Sequence, residues 1–346
     1  MGDVVRAIDV GYSWTKYVTV GDTASEIRCR AFPSLAPRAS SRDLALDSRA
    51  RRQTVQVPVD ELLFEVGPEA ALVQETFHAI PLDDGYTDSP EYLALVRGAL
   101  RLMRVDRVDL LVVGLPVALF RERRLSLERR LTGDHPVGEG AAVTVKSVKA
   151  LAQPVGALLS AAIGNEAFRH LRNARNLIVD IGWRTFDWVV TSGPKVLDKR
   201  SDSVPKSMFD VVDAIARAIS RELGAQLSAF DYARIDAGLR NHEPVRFFGK
   251  PLELGPYLAL GQRVADETVT AMRRLVQEGT DIDNVVLGGG GARFFRDAIA
   301  RAYPKHALTE LPEPFFANCR GFQIAGLEYT AGERRRDRAE STSVDR

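Results

Sequence analysis

Cysteine is scarce in this chain. Its 346 residues hold two, Cys29 and Cys319, with no Cys-x-x-Cys spacing. That supports neither a disulfide framework nor a zinc site, and it fits a reducing cytoplasm. The five histidines show no ligand spacing, so none is assigned to a metal. Long apolar runs are missing as well. The longest, around 108–117 and 155–163, are too short to cross a bilayer, and the N-terminus does not read as a signal peptide. No direct membrane partner is expected. Charge of one sign is not in excess either, with 47 Lys and Arg against 46 Asp and Glu. Direct nucleic-acid binding is therefore not supported by the overall balance.

What is present is a large core. Hydrophobic residues make up 45% of the chain, and the length suits two domains or one bilobal one. Residues 4–10 and 15–20 read as paired strands, with a third around 25–32 completing a β-meander, and 55–59 with 62–66 predict short strands. Pro33 to about Arg52 reads as an irregular surface segment, and 68–76 as a helix. Ser89-Pro90-Glu91 is a helix start with Ser as N-cap, for a helix running to Met103. Apart from Asp109, Val108–Gly114 is a continuous apolar run, as in a strand buried on both faces. An arginine-studded helix over Phe120–Leu131, a strand over 143–148 and a long helix over 154–170 follow. The second half restarts with strands at 177–181, 185–191 and 196–200. An amphipathic helix at 205–223, a mostly helical stretch to 283, a strand at 284–287 and helices at 294–303 and 321–329 complete it. Residues 333–346 read as a frayed, disordered tail. The expected fold class is α/β, with a mixed sheet in each half.

One phrase occurs twice. The first copy reads Asp9-Val10-Gly11-Tyr12-Ser13, with Lys16 on the return strand. The second reads Asp180-Ile181-Gly182-Trp183-Arg184-Thr185. Each is an apolar strand, a carboxylate, a glycine turn and a second β-rich run. Glycine lets backbone amides approach a phosphate. Lys16 could reach an outer phosphate, and the Thr185 hydroxyl could hold one from the other side. Asp9 and Asp180 could hold Mg²⁺ through its waters. Either site alone reads equally well as an ordinary Asp-x-Gly hairpin; the pairing favours function.

A third element, Asn284 to Leu287, runs into Gly288, Gly289, Gly290 and Gly291 and then Arg293. Four glycines are costly to order, which makes sense where a flat adenosine lies against bare backbone. A flexible loop is the bland alternative, and the run is not a Walker loop. Gln153, at the start of the long helix, could orient an attacking water or simply face solvent. The arginine helix reads as a solvated face, with a filament or partner contact as the minority reading.

Taken together, these stretches resemble the actin/Hsp70/sugar-kinase superfamily. Asp9–Lys16 resembles its first phosphate loop, Asp180–Thr185 its second and Leu287–Gly291 its adenosine motif. Gln153–Gly164 and Asn318–Gly326 resemble its two connecting helices. Gly114-Leu115-Pro116-Val117 and Phe316–Gln323 are similar to bacterial actin-like proteins of the ParM/StbA type, and the PRTRC-cassette D proteins match equally well. The resemblance implies two duplicated ribonuclease H-like domains around a nucleotide cleft. The first would be 1–155 plus 315–332, with a small subdomain at about 33–75. The second would be 156–314, with a helical insertion at about 205–283. It further implies an ATPase that binds Mg-ATP, with Gln153, Asp9 and Asp180 as catalytic residues and Lys206 and Asp210 as nucleotide contacts. Polar self-assembly, a DNA-binding adaptor protein and a role in plasmid segregation are also implied. A sugar-type kinase and a non-polymerising ATP-binding scaffold remain as alternatives; a peptide-binding chaperone would need more chain.

Overall fold

The computed structural model describes residues 3–39, 52–73, 85–164 and 166–344. The first lobe opens with the meander β1 (Val5–Val10), β2 (Trp14–Val20) and β3 (Arg28–Pro33). A hairpin of β4 (Val55–Val59) and β5 (Leu62–Val66) precedes α1 (Pro90–Met103). Then come β6 (Arg107–Val108), β7 (Leu110–Leu115), α2 (Val117–Arg130), β8 (Gly133–Gly138), β9 (Ala141–Val145), β10 (Val148–Ala152) and α3 (Gln153–Gly164). Ser89 caps α1 by accepting the Tyr92 N–H at 3.1 Å, with Pro90 at the first position. Every residue of β7 is buried, because α1 covers one face of its sheet and the C-terminal helix the other.

The second lobe holds β11 (Arg175–Ile181), β12 (Phe186–Ser192), β13 (Lys195–Val196) and β14 (Asp202–Val204). It continues with α4 (Met208–Leu223), α5 (Ala229–Asn241), β15 (Val245–Phe247), β16 (Lys250–Leu252) and α6 (Leu258–Val276). β17 (Asn284–Gly288), α7 (Ala292–Ala302) and β18 (Leu308–Glu310) close it, and α8 (Ala317–Val344) returns to the first lobe.

The duplication extends to topology. Read from the meander, the first sheet runs β3-β2-β1-β7-β10 and the second β13-β12-β11-β17-β18, with β14 beside β12. In both, the meander is antiparallel and the remaining neighbours are parallel. The lobes meet where α3 crosses α8. A side chain at Gly321 would run into the backbone of Gly156, so bare backbone is required on both helices. That accounts for the small-residue face of α3, whose Ala157 and Ala161 are buried.

Several boundaries differ from expectation. The strand expected over 143–148 is two strands, β9 and β10. The helix expected to reach 170 stops at Gly164, and Glu166–Asn173 is a 3-10 segment. The meander strand expected at 196–200 is the short β13, and β14 takes up the pairing with β12. The tail expected to be disordered from 333 is helical through Val344. That stretch contains no proline and holds four Arg and two Glu, which are strong helix formers. Of the helix expected over 68–76, the described part holds one 3-10 turn, Ala70–Leu72. Residues 74–76, and much of the segment read as irregular from 33 to 52, lie outside the described residues.

Candidate functional site

Asp9 and Asp180 lie near the C-terminal ends of β1 and β11, where an open α/β sheet presents its ligand site. The two following turns close in the same way. Gly11 N–H donates to the Trp14 carbonyl at 3.1 Å, and Gly182 N–H to the Thr185 carbonyl at 3.0 Å. Both turns face one open cleft of about 960 Å³ between the lobes.

The cleft brings together most of the predicted residues: Asp9, Gly11, Tyr12, Ser13, Lys16, Gln153, Asp180, the stretch 182–185, and Gly289 to Gly291. At Gly289, φ is +81° and a side chain would meet the Ile181 carbonyl and the Asp180 carboxylate, so glycine is required there. At Gly291 a side chain would collide with Ile181 and Met208. The glycine run is therefore a packed turn under the Asp180 strand, held by the Gly291 N–H to Ile181 carbonyl bond of 2.9 Å.

The carboxylates are buried and already bonded. Asp9 is fully buried; Lys16 Nζ reaches its Oδ2 at 3.0 Å and Gln153 Nε2 its Oδ1 at 2.8 Å. Gln153 is itself buried and does not face solvent. Burial would lower the Lys16 ammonium, but Asp9 outweighs it and raises Lys16 above its ordinary value. Asp180 accepts from Asn318 Nδ2 at 2.7 Å. Burial, then the charge of Asp187, push the Asp180 carboxyl up to about 7, against the Asn318 hydrogen bond. Asn318 Oδ1 lines the cleft with no partner among the described residues.

Four predicted contacts lie elsewhere. Gly288 ends β17 and packs towards Ala157 and Leu311. Arg293 is exposed on the first turn of α7. Lys206 pairs with Glu267 at 2.5 Å. Asp210 accepts the Ser207 N–H at 2.9 Å in the capping box of α4. None of the four lines the cleft. In their place stand Met208 and the pair Asp236–Arg240, joined at 2.7 Å. Tyr86 stacks on Tyr12 at 5.0 Å and lies edge-on to Tyr92, enclosing the first turn. These residues carry no local pattern. Asn318 opens the stretch that resembles the second connecting helix and Asp187 lies two residues beyond the second turn, but the sequence points to no role for either.

Family models fit both halves. The actin-like protein N-terminal domain matches residues 7–156, and the C-terminal domain of the archaeal MreB-like actin homologue matches 178–301. The chain belongs to the actin-like proteins. Its two lobes are the actin-like domains, with mixed sheets around the cleft. Among solved structures it is similar to a non-polymerisable quadruple mutant of pCBH ParM, with TM-score 0.75 and 19% identity over 94% of this chain and 100% of that one. A 15-stranded ParM filament from Clostridium botulinum gives 0.73 and 19%, covering 95% and 100%. The archaeal actin homologue Ta0583 in complex with ADP gives 0.71 and 20%, covering 93% and 98%. No curated protein sequence matches the chain. No described helix of this actin-like chain is long and apolar enough to cross a membrane.

Proposed function

We propose that this actin-like chain is a ParM-type ATPase that binds Mg-ATP in the cleft and assembles into polar filaments controlled by hydrolysis. The carrying observation is the pair of matching Asp-x-Gly turns, each closed by the same hydrogen bond, on opposite sides of one cleft. Amides at 11–13 and 182–185 would hold the phosphates, with Lys16 and the Thr185 hydroxyl. The glycine turn and Asp236–Arg240 would face the nucleoside.

The donor set fits Mg²⁺ rather than a metal that needs a protein cage. Among the described residues no group of three or more His, Cys, Asp or Glu could hold an ion. Magnesium is commonly held by one or two carboxylates, waters and phosphate oxygens, and Asp9 and Asp180 suit that role. Bound Mg²⁺ would neutralise charge on the phosphates. Gln153, fixed by Asp9, would orient the attacking water with its amide oxygen. Asp180 would hold the metal's water shell from the other lobe, steered by Asn318.

The lobes we infer are 1–155 with 315–332, including a small subdomain at 33–75, and 156–314, including the insertion at 205–283. A cytoplasmic plasmid-segregation role with a DNA-binding adaptor is supported by the likeness to ParM structures. Sedimentation and light scattering with ATP, ADP and no nucleotide test the proposal. Assembly with ATP and disassembly after hydrolysis are expected. Phosphorylation of a small molecule without assembly would favour a kinase instead. Normal ATP hydrolysis by Asp180→Ala would overturn the site assignment.

A further inference from the structure

The chain's two cysteines come from opposite ends of the sequence and meet in the fold. Cys29 lies opposite Val18 in the β2–β3 register. Residues directly opposite in an antiparallel pair point to the same face, and Val18 packs with Cys319 beneath α8. Cys29 packs against this same cluster, which contains Cys319. Cys319 is fully buried, with its Sγ 3.9 Å from the Ala7 carbonyl. Cys29 is partly exposed, on a surface depression that also holds Arg28, Arg30, Arg104 and Arg320. The neighbouring Cys319 thiol outweighs burial and, with help from Arg320, holds the Cys29 thiol below its ordinary value. A partly exposed thiol in basic surroundings is the reactive kind.

The position matters because Cys319 follows Asn318, which holds Asp180 in the cleft. The crossing with α3 at Gly321 begins two residues later. The first turn of α8 thus joins the β1–β3 face, the Asp180 carboxylate and the junction of the lobes.

We propose that Cys29 and Cys319 are a thiol pair that closes to a reversible disulfide, pinning α8 to β3 and slowing nucleotide turnover. The oxidant class is a hydroperoxide such as H₂O₂. The Cys29 thiolate attacks one peroxide oxygen, the O–O bond breaks, and the departing hydroxide takes a proton to become water. The Cys319 sulfur then attacks the resulting sulfenic acid. The S–S bond forms, the S–O bond breaks, and hydroxide leaves as water with the Cys319 proton. Two thiols are oxidised and one peroxide is reduced to two waters. An external dithiol reverses the change. Cytosolic disulfides are commonly transient and redox-sensing in this way.

The turnover half of this proposal rests on the ATPase reading, whereas the bond itself does not. The test treats the full-length protein with H₂O₂ and follows intact mass, peptide mapping and ATP hydrolysis. Expected are the loss of two hydrogens, a cross-linked peptide pair holding Cys29 and Cys319, and turnover lowered roughly tenfold, within ordinary coupling energies. Dithiothreitol should restore both. Cys29→Ser should fold, hydrolyse ATP as the untreated protein does and resist peroxide. Sulfinic or sulfonic Cys29 without the cross-link would overturn the proposal, as would a cross-linked protein with unchanged turnover. If the reduced protein hydrolyses no nucleotide, the ATPase reading fails. Protection of α8 against limited proteolysis then decides the conformational half: slower cleavage in the cross-linked form supports it, and equal cleavage overturns it.

Discussion

Asp187 of the second lobe accepts the backbone N–H of Val117, the first residue of α2 in the first lobe, at 2.9 Å. In the duplicated turn Asp187 stands where Lys16 stands in the first copy, since Asp9 pairs with Lys16 and Asp180 with Asp187 across the strands. The two copies have diverged at this position. One presents a cation to the cleft, while the other presents a carboxylate to the N-terminus of a helix, where the helix dipole favours a negative charge. Thr185, on the cleft wall, stands two residues before Asp187 and helps hold its carboxyl down against burial. A line of contact therefore runs from the cleft to α2.

Asp187→Ala removes that contact. It leaves the Val117 N–H without its partner, and Pro116 supplies no side-chain cap in compensation. A stability loss of about 1–2 kcal/mol is expected, the cost of a half-buried unsatisfied donor and a lost helix-end charge. Hydrogen exchange should quicken at Val117 while the rest of the first-lobe sheet is unaffected. Uniform loosening would argue against a local clasp.

Lys16→Met should weaken ATP binding by roughly 10- to 100-fold, the value of one charge-assisted hydrogen bond. It also leaves Asp9 with Gln153 as its remaining side-chain partner among the described residues. The variant should therefore lose stability without nucleotide, visible as a lower melting temperature. Titration with a fluorescent ATP analogue checks the first effect and calorimetry the second. Unchanged affinity would remove Lys16 from the phosphate site.

The sign of the pH dependence at Asp180 follows from burial. Its ordinary value is 3.8 and its value in the fold about 7. Between those limits the unfolded chain is ionised and the folded chain protonated. The contribution is complete below the ordinary value and is lost as pH rises through about 7. Asp180→Asn removes this dependence. The nucleotide-free variant should exceed the natural protein in stability at pH 8 by about 2–4 kcal/mol, at 1.36 kcal/mol per pH unit, with a smaller gain at pH 5. It should also lose ATP turnover. Parallel melting curves across this range would contradict the assigned environment.

How much of this was legible depends on the range of the interactions. The Ser89 cap, the apolar run of β7 and the two Asp-x-Gly turns are local patterns, and the structure forms them as read. The glycine turn was legible as a turn, but its reason was not. Gly289 and Gly291 are constrained by Ile181, Asp180 and Met208, more than 80 positions away in sequence. The same holds for Asn318 on Asp180, and for Gly156 against Gly321. Lys206 and Asp210 lie outside the cleft for a local reason. Helix α4 begins at Met208, and Ser207 and Asp210 form its capping box, so the Asp210 carboxylate is occupied by the helix start.

That displacement gives the sharpest contrast between side chains. Lys206→Ala removes an exposed ion pair with Glu267, worth little, and should leave ATP affinity unchanged. Asp210→Ala should cost about 1 kcal/mol through the lost capping box, again with affinity unchanged in the folded fraction. Asp236→Asn should behave in the opposite way. Asp236 is buried on the cleft wall, and burial raises its carboxyl although Arg240 opposes the shift. The amide relieves the buried charge but releases Arg240, which also lines the cleft. Stability should hold or improve, while nucleotide affinity falls by roughly tenfold, one hydrogen bond's worth. Isothermal titration with ATP and GTP on all three variants decides the matter. A loss at Lys206 with none at Asp236 would return the nucleoside to the start of α4.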